Sequence, residues 1–276
     1  MQFAPVNFRI ILRWTEYAYA ALLIFVLTQG PVLSMWFASE QLNSRSALAP
    51  QLATYFLIQS PALLFVSRQK FTLHDARGPL GLLAVFCLWL IATTFWATNG
   101  QHSAVESVSL LTTFVCGVYF AKRFSLKEKL AVIVVAMQPG LLLSRYAIAN
   151  NWNMSQSGEG FWVGIYFNRN SLAPVAMVSV ISALALLYVV FNNKDNKLRI
   201  YILCGLVNVV LFGIVFAVRT RSNTPVGGLA AFIAVFLFWE SVRSSPLKKN
   251  LVEVRQVNKL YTGFIALTAI CSWFAI

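Results

Sequence analysis

The chain is a series of long apolar runs separated by short polar breaks. Nine runs stand out, at roughly 16–38, 51–67, 79–98, 103–120, 129–148, 171–191, 199–218, 225–242 and 260–276. A bilayer core about 30 Å thick is crossed by about 20 apolar residues in a helix. None of the runs alternates apolar and polar residues as a membrane β-strand does. Lipid leaves only helices and closed barrels with a satisfied backbone. The pattern therefore predicts an all-α, polytopic transmembrane bundle of about nine spans, a single domain over 1–276. The first run is longer than the apolar core of a signal peptide, and Trp36-Phe37-Ala38 is no small-x-small cleavage site, so it is read as a span.

The polar breaks give an orientation. With the N-terminus in the cytoplasm, the inward segments hold Arg9 and Arg13; Arg68, Lys70 and Arg77; Lys122, Arg123, Lys127 and Lys129; Lys194, Lys197 and Arg199; and Arg243, Lys248, Lys249, Arg255 and Lys259. That is seventeen of the 22 cations, in accord with the positive-inside rule. Trp36, Trp96 and Trp273 then mark outer ends, and Trp14 and Trp239 inner ends, as an interfacial belt does.

Composition narrows the class. The chain has 276 residues, 58% hydrophobic and 11% charged. Soluble domains carry about 25% charged residues, and disorder needs low hydrophobicity, so both are excluded. The net charge of +13 mostly reflects topology. No basic domain exists to bind nucleic acid, and the 243–259 segment suits anionic lipid. Cys87, Cys116, Cys204 and Cys271 lie inside apolar runs without metal-like spacing and read as small core residues. No HExxH, Walker A, GxSxG or dinucleotide fingerprint supports hydrolase, ATPase or redox chemistry. No internal repeat stands out, which weighs against inverted-repeat transporter folds.

The five remaining cations, Arg45, Arg145, Arg169, Arg219 and Arg221, are all arginine and fall on the outer side. A guanidinium offers a planar fork suited to phosphate or carboxylate. Arg169 precedes the sixth span, which Asn170 or Ser171 can cap, with Pro174 in its first turn. Arg219 and Arg221 precede the eighth, where Thr224 reads as N-cap and Pro225 as the first helical residue. Both helices start outside, and a helix start beside arginine is an anion site. The plainer readings are dipole compensation for Arg219, headgroup contact for Arg221 and snorkelling for Arg169 and Arg145. Arg145 follows Pro139-Gly140, a pair expected to kink its helix. Ser103 and Glu106 match a capping box opening the fourth span, and His102 beside them is an acid–base candidate.

Three stretches resemble the O-antigen ligase and O-antigen polymerase-like family of bacterial membrane glycosyltransferases. Trp162, Gly164, Phe167, Asn168, Arg169, Asn170, Leu172 and Ala173 are similar to its W-x-G … (H/N)-(K/R)-N-x-L-(A/G) pattern. Thr94-Phe95-Trp96-Ala97 with Ser125-Leu126-Lys127-Glu128, and Arg221-Ser222-Asn223-Thr224-Pro225 in altered order, resemble two further segments. The resemblance spans about 80–276 and implies the architecture of the C-type membrane glycosyltransferases. It implies a polyprenyl-diphosphate-linked glycan donor, a lipid or glycan acceptor, no cofactor and no metal, and work on the outer face of the bacterial cytoplasmic membrane. Arg169 and Arg221, supported by Arg219 and Arg145, would hold the diphosphate. Asn168, Asn170, Ser222 and Thr224 would orient phosphate or sugar hydroxyls. His102 and Glu106 are the candidate catalytic groups here, since the ligase branch usually draws its base from a large external loop after a span corresponding to the ninth. The sequence ends there in apolar residues, so an N-terminal fragment is expected. Two other readings stand beside this one: a transporter or flippase of an anionic lipid or solute, and a non-catalytic partner in polysaccharide export.

Overall fold

A computed structural model of the chain describes residues 8–28, 45–69, 78–98, 100–152, 155–156, 160–166, 168–192 and 199–244. The described residues are helical, with one isolated antiparallel bridge between Gln156 and Trp162 and no strand. In chain order the helices are α1 (Phe8–Leu27), α2 (Arg45–Ser67), α3 (Pro79–Thr93), α4 (Gly100–Arg123), α5 (Leu126–Ala149), α6 (Arg169–Asn192), α7 (Arg199–Arg219) and α8 (Asn223–Ser244), with a 3-10 turn at Gly164–Tyr166 before α6. Four stretches, Ile10–Leu27, Leu126–Ala149, Arg169–Phe191 and Ile200–Arg219, are long and apolar enough to cross a membrane. The protein is thus a membrane-embedded helical protein. The ninth expected span, 260–276, lies outside the described residues.

Several boundaries differ from the hydropathy pattern. The first helix begins at Phe8 and not near 16, because its charges are paired instead of facing lipid, while the 29–38 part of the expected run lies outside the described residues. Arg13 donates to Glu16 at 2.9 Å and to Glu128 of α5 at 2.8 Å. Arg123, at the end of α4, also pairs with Glu16. Arg13 and Arg123 therefore contribute packing as well as charge. The third helix stops at Thr93, five residues early, because the chain turns over Thr94-Phe95-Trp96. The fourth starts at Gly100, so Ser103 and Glu106 lie inside it and do not open it. The capping box is at α5 instead. The Ser125 N–H donates to Glu128 Oε2 at 2.8 Å, and the Glu128 N–H reaches Ser125 Oγ at 3.5 Å. Cys87 and Cys116 are buried as expected, but Cys204 is exposed.

The helices divide into two compact units, Met1–Pro139 and Gly140–Ile276. In the first, Ala20, Leu23, Ala62, Cys116, Tyr119, Phe124 and Val132 form the core. One polar group anchors it. Pro61 interrupts α2, since proline has no N–H and crowds the preceding turn. Tyr19 of α1 fills the break: its hydroxyl donates to the Ile58 carbonyl at 3.0 Å and accepts from the Ala62 N–H at 3.1 Å. Tyr19→Phe strands both, so a loss of about 1–3 kcal/mol of stability is expected. Thermal unfolding of the protein in nanodiscs checks this, and an unchanged midpoint would mean that α2 closes the gap alone.

In the second unit α6 packs against α7 and α8. Small residues let the helices approach. A Cβ at Gly213 of α7 would press on Val180 of α6, and one at Gly228 of α8 would strike Met177. Ala173, Ala176 and Ala183 are fully buried in α6. This is the close packing that small residues allow between helices in lipid.

Candidate anion-binding site

The second unit brings four helix ends together, and the segment 155–166 joins them. Helix α5 finishes on Asn151, whose φ of 50° is left-handed. Asn151 N–H bonds Ile148 O at 3.2 Å and Trp152 N–H bonds Ala147 O at 3.0 Å, the Schellman pattern with Asn in the usual glycine place. The chain then folds back. The Ser155 carbonyl accepts from the N–H groups of Val163 at 3.0 Å and Gly164 at 2.9 Å. Gly164 has φ of 64°, and a Cβ there would run into Ser144 of α5. The buried Ser144 hydroxyl oxygen accepts from the Ile165 N–H at 3.2 Å. Glycine is thus required at 164 by both conformation and space.

Two adjacent rings on this segment collect four arginines. The Phe161 ring has the Arg169 guanidinium at 4.9 Å and that of Arg221 at 5.2 Å from its centroid. The Trp162 ring has Arg145 at 5.5 Å and Arg219 at 5.7 Å. Cations within about 6 Å of a ring centroid are attracted by its quadrupole. Trp162 is further fixed by its N–H, which donates to Arg219 O at 3.2 Å, and by edge contact with the fully buried Phe216 at 5.1 Å. All four guanidinium residues are exposed, and among the described residues none of them forms an ion pair.

The flanking helix starts are also joined. Asn168, not Asn170 or Ser171, caps α6. Its side-chain oxygen accepts from Asn170 N–H at 2.8 Å, and its carbonyl takes the Ser171 and Leu172 N–H groups, each at 3.1 Å. Asn168, expected to orient substrate, therefore spends its acceptor on the helix. Arg169 becomes the first residue of α6. Helix α8 starts at Asn223, two residues before the expected Pro225, so Thr224 lies in its first turn and is not the cap. The Ser222 hydroxyl donates to Asn170 Oδ1 at 3.4 Å and ties the two starts together. Between α7 and α8, Arg221 has φ of 46°, and its N–H bonds Val218 O at 3.2 Å. It occupies the left-handed position that ends α7, where glycine is usual.

His102 and Glu106, the candidate catalytic groups, lie in α4 in the first unit, and the arginines in the second. Arg45 starts α2 and is not part of a loop. The contribution of Phe161 and Trp162 was not apparent from residue types alone. The available signal was an aromatic pair followed closely by glycine, next to an arginine-flanked helix start. An arginine pair across one ring, beside two helix N-termini, is suited to an anion with more than one charged oxygen group. No protein-family model, curated protein or solved structure matches the chain.

Proposed function

We propose that the protein is a membrane glycosyltransferase of the O-antigen ligase or polymerase kind, which takes a polyprenyl-diphosphate-linked glycan at the outer face of the bacterial cytoplasmic membrane and passes the glycan to a lipid or glycan acceptor in surface-polysaccharide synthesis. The observation that carries this reading is the Arg169–Arg221 pair gathered on the Phe161 ring, with no carboxylate paired to it among the described residues. Arg169 opens α6 and Arg221 lies two residues before α8, so the dipole of α6 favours the same anion as the Arg169 side chain. In this reading the pair grips the diphosphate and stabilises the charge that grows on it as the sugar–phosphate bond breaks. Gln138 and Asn208 each donate to a carbonyl of their own helix, Val134 O at 3.3 Å and Cys204 O at 2.9 Å.

Donor binding to the protein in nanodiscs tests the reading. Arg169→Lys or Arg221→Lys keeps the charge but loses the bidentate fork. Affinity for a polyprenyl-diphosphate-linked glycan is expected to fall about tenfold. Affinity for the same glycan on a polyprenol without phosphate should not change. Unaltered donor affinity in both variants would remove the diphosphate assignment.

A further inference from the structure

We infer that the four arginines divide by the ring they meet into two pairs with different work: Arg169 and Arg221 contact the anion, and Arg145 and Arg219 are positioning residues that hold Trp162 and, through it, the neighbouring Phe161 beside the contacting pair. The inference rests on the diphosphate reading above and assigns the residues within it.

Two observations separate the pairs. The first is the rings. Among the described residues no arginine shares both Phe161 and Trp162. Trp162 takes part in an antiparallel bridge with Gln156, and in such extended backbone adjacent side chains point to opposite faces. The second is the helix field. Arg169 opens α6, where the dipole adds to its positive charge, and Arg221 stands between the end of α7 and the start of α8, two residues before Asn223. Arg219 closes α7 and Arg145 lies one turn from the end of α5. There the carbonyl ends carry roughly half a negative charge, which offsets the guanidinium and repels an anion. The same field favours a cation held in place, and the Trp162 ring holds both. The bond from Trp162 N–H to Arg219 O locks the backbone as well. Phe161 is the adjacent residue, so holding Trp162 also fixes the ring on which Arg169 and Arg221 meet.

Salt dependence distinguishes contact from positioning, because each cation that meets the anion steepens the loss of affinity with salt. The probe is inorganic pyrophosphate, titrated against the protein in phosphatidylcholine nanodiscs at several salt concentrations. Arg145→Gln with Arg219→Gln is expected to weaken binding about tenfold while the salt slope stays as in the wild type. Arg169→Gln with Arg221→Gln should weaken binding and flatten the slope. Trp162→Ala should behave like the first double variant, and Trp162→Phe, which keeps a ring for the cations, should restore most of the affinity. The Trp162 pair carries the test if the double variant fails to fold. A flattened slope on loss of Arg145 and Arg219, or unchanged affinity, overturns the positioning role. Unchanged affinity and slope on loss of Arg169 and Arg221 overturns the diphosphate reading instead.

Discussion

Arg221→Gly is expected to make the protein more stable and a poorer binder at once. Arg221 holds φ of 46° at the end of α7, a conformation that costs a residue with a Cβ about 1–2 kcal/mol. Glycine removes that cost, and its greater freedom in the unfolded chain takes back roughly 0.5–1 kcal/mol. The net gain is about 0.5–1 kcal/mol, seen as a higher unfolding midpoint. The same change deletes one of the two guanidiniums on Phe161. Charge-assisted hydrogen bonds are worth about 1.5–3 kcal/mol, so donor affinity should fall about 10–100-fold. Arg221→Ala separates the two effects, since it loses the affinity and keeps the strain. A glycine variant that is less stable than the wild type would show that stacking on Phe161 outweighs the backbone cost. Strained residues cluster where function holds them, and opposite signs in the two measurements are the signature of that trade.

Gly164→Ala should be the most damaging small change in the second unit. The new methyl meets Ser144 Cβ and Oγ, with Ser144 Cα at 3.2 Å, and φ of 64° is left-handed. Ser144 is fully buried and already accepts from Ile165 N–H, so it cannot step aside without stranding that donor. Backbone strain and overpacking together predict a loss of about 2–5 kcal/mol. The carbonyl of Ser155 would also lose its bonds to Val163 and Gly164, so the aromatic pair should shift and donor affinity fall with stability. Unfolding and binding measured on one nanodisc preparation check both. A variant with a wild-type midpoint would show that the segment 155–166 relaxes around the methyl. Ser144→Gly, which opens space for that methyl, should recover part of the loss in the double variant, apart from the hydrogen bond to Ile165.

Hydropathy located the middles of seven of the eight described helices, all but the first, because lipid demands long unbroken apolar runs whatever the detailed packing. It misplaced ends wherever side chains rewrote the balance. Helix α1 extends back through Arg13 because Glu16 and Glu128 pair with it. Helix α5 starts early because Ser125 and Glu128 cap it. At α6 the choice among three adjacent polar residues turned on a single bond, from Asn170 N–H to Asn168 Oδ1. Arg145, Arg169, Arg219 and Arg221 could be singled out by type and position, since the segments expected to face outward hold no lysine. Their division into pairs could not, because it depends on which ring each guanidinium reaches. Nothing in the local sequence around Gly164 indicates Ser144, twenty residues earlier, as the side chain it must clear.

Tyr19 has a consequence for how the chain is made. Beside Pro61, a hydroxyl from another helix bonds the Ile58 carbonyl and the Ala62 N–H of α2, so α2 gains these two backbone bonds only once α1 is docked. Synthesis delivers α1 first, and the partner is therefore waiting when Ile58 and Ala62 emerge. In lipid two unmatched backbone groups are costly, which couples the arrival of α2 to its docking on α1. A circularly permuted chain that delivers α1 last would have to carry α2 unfinished through the membrane until the end of translation.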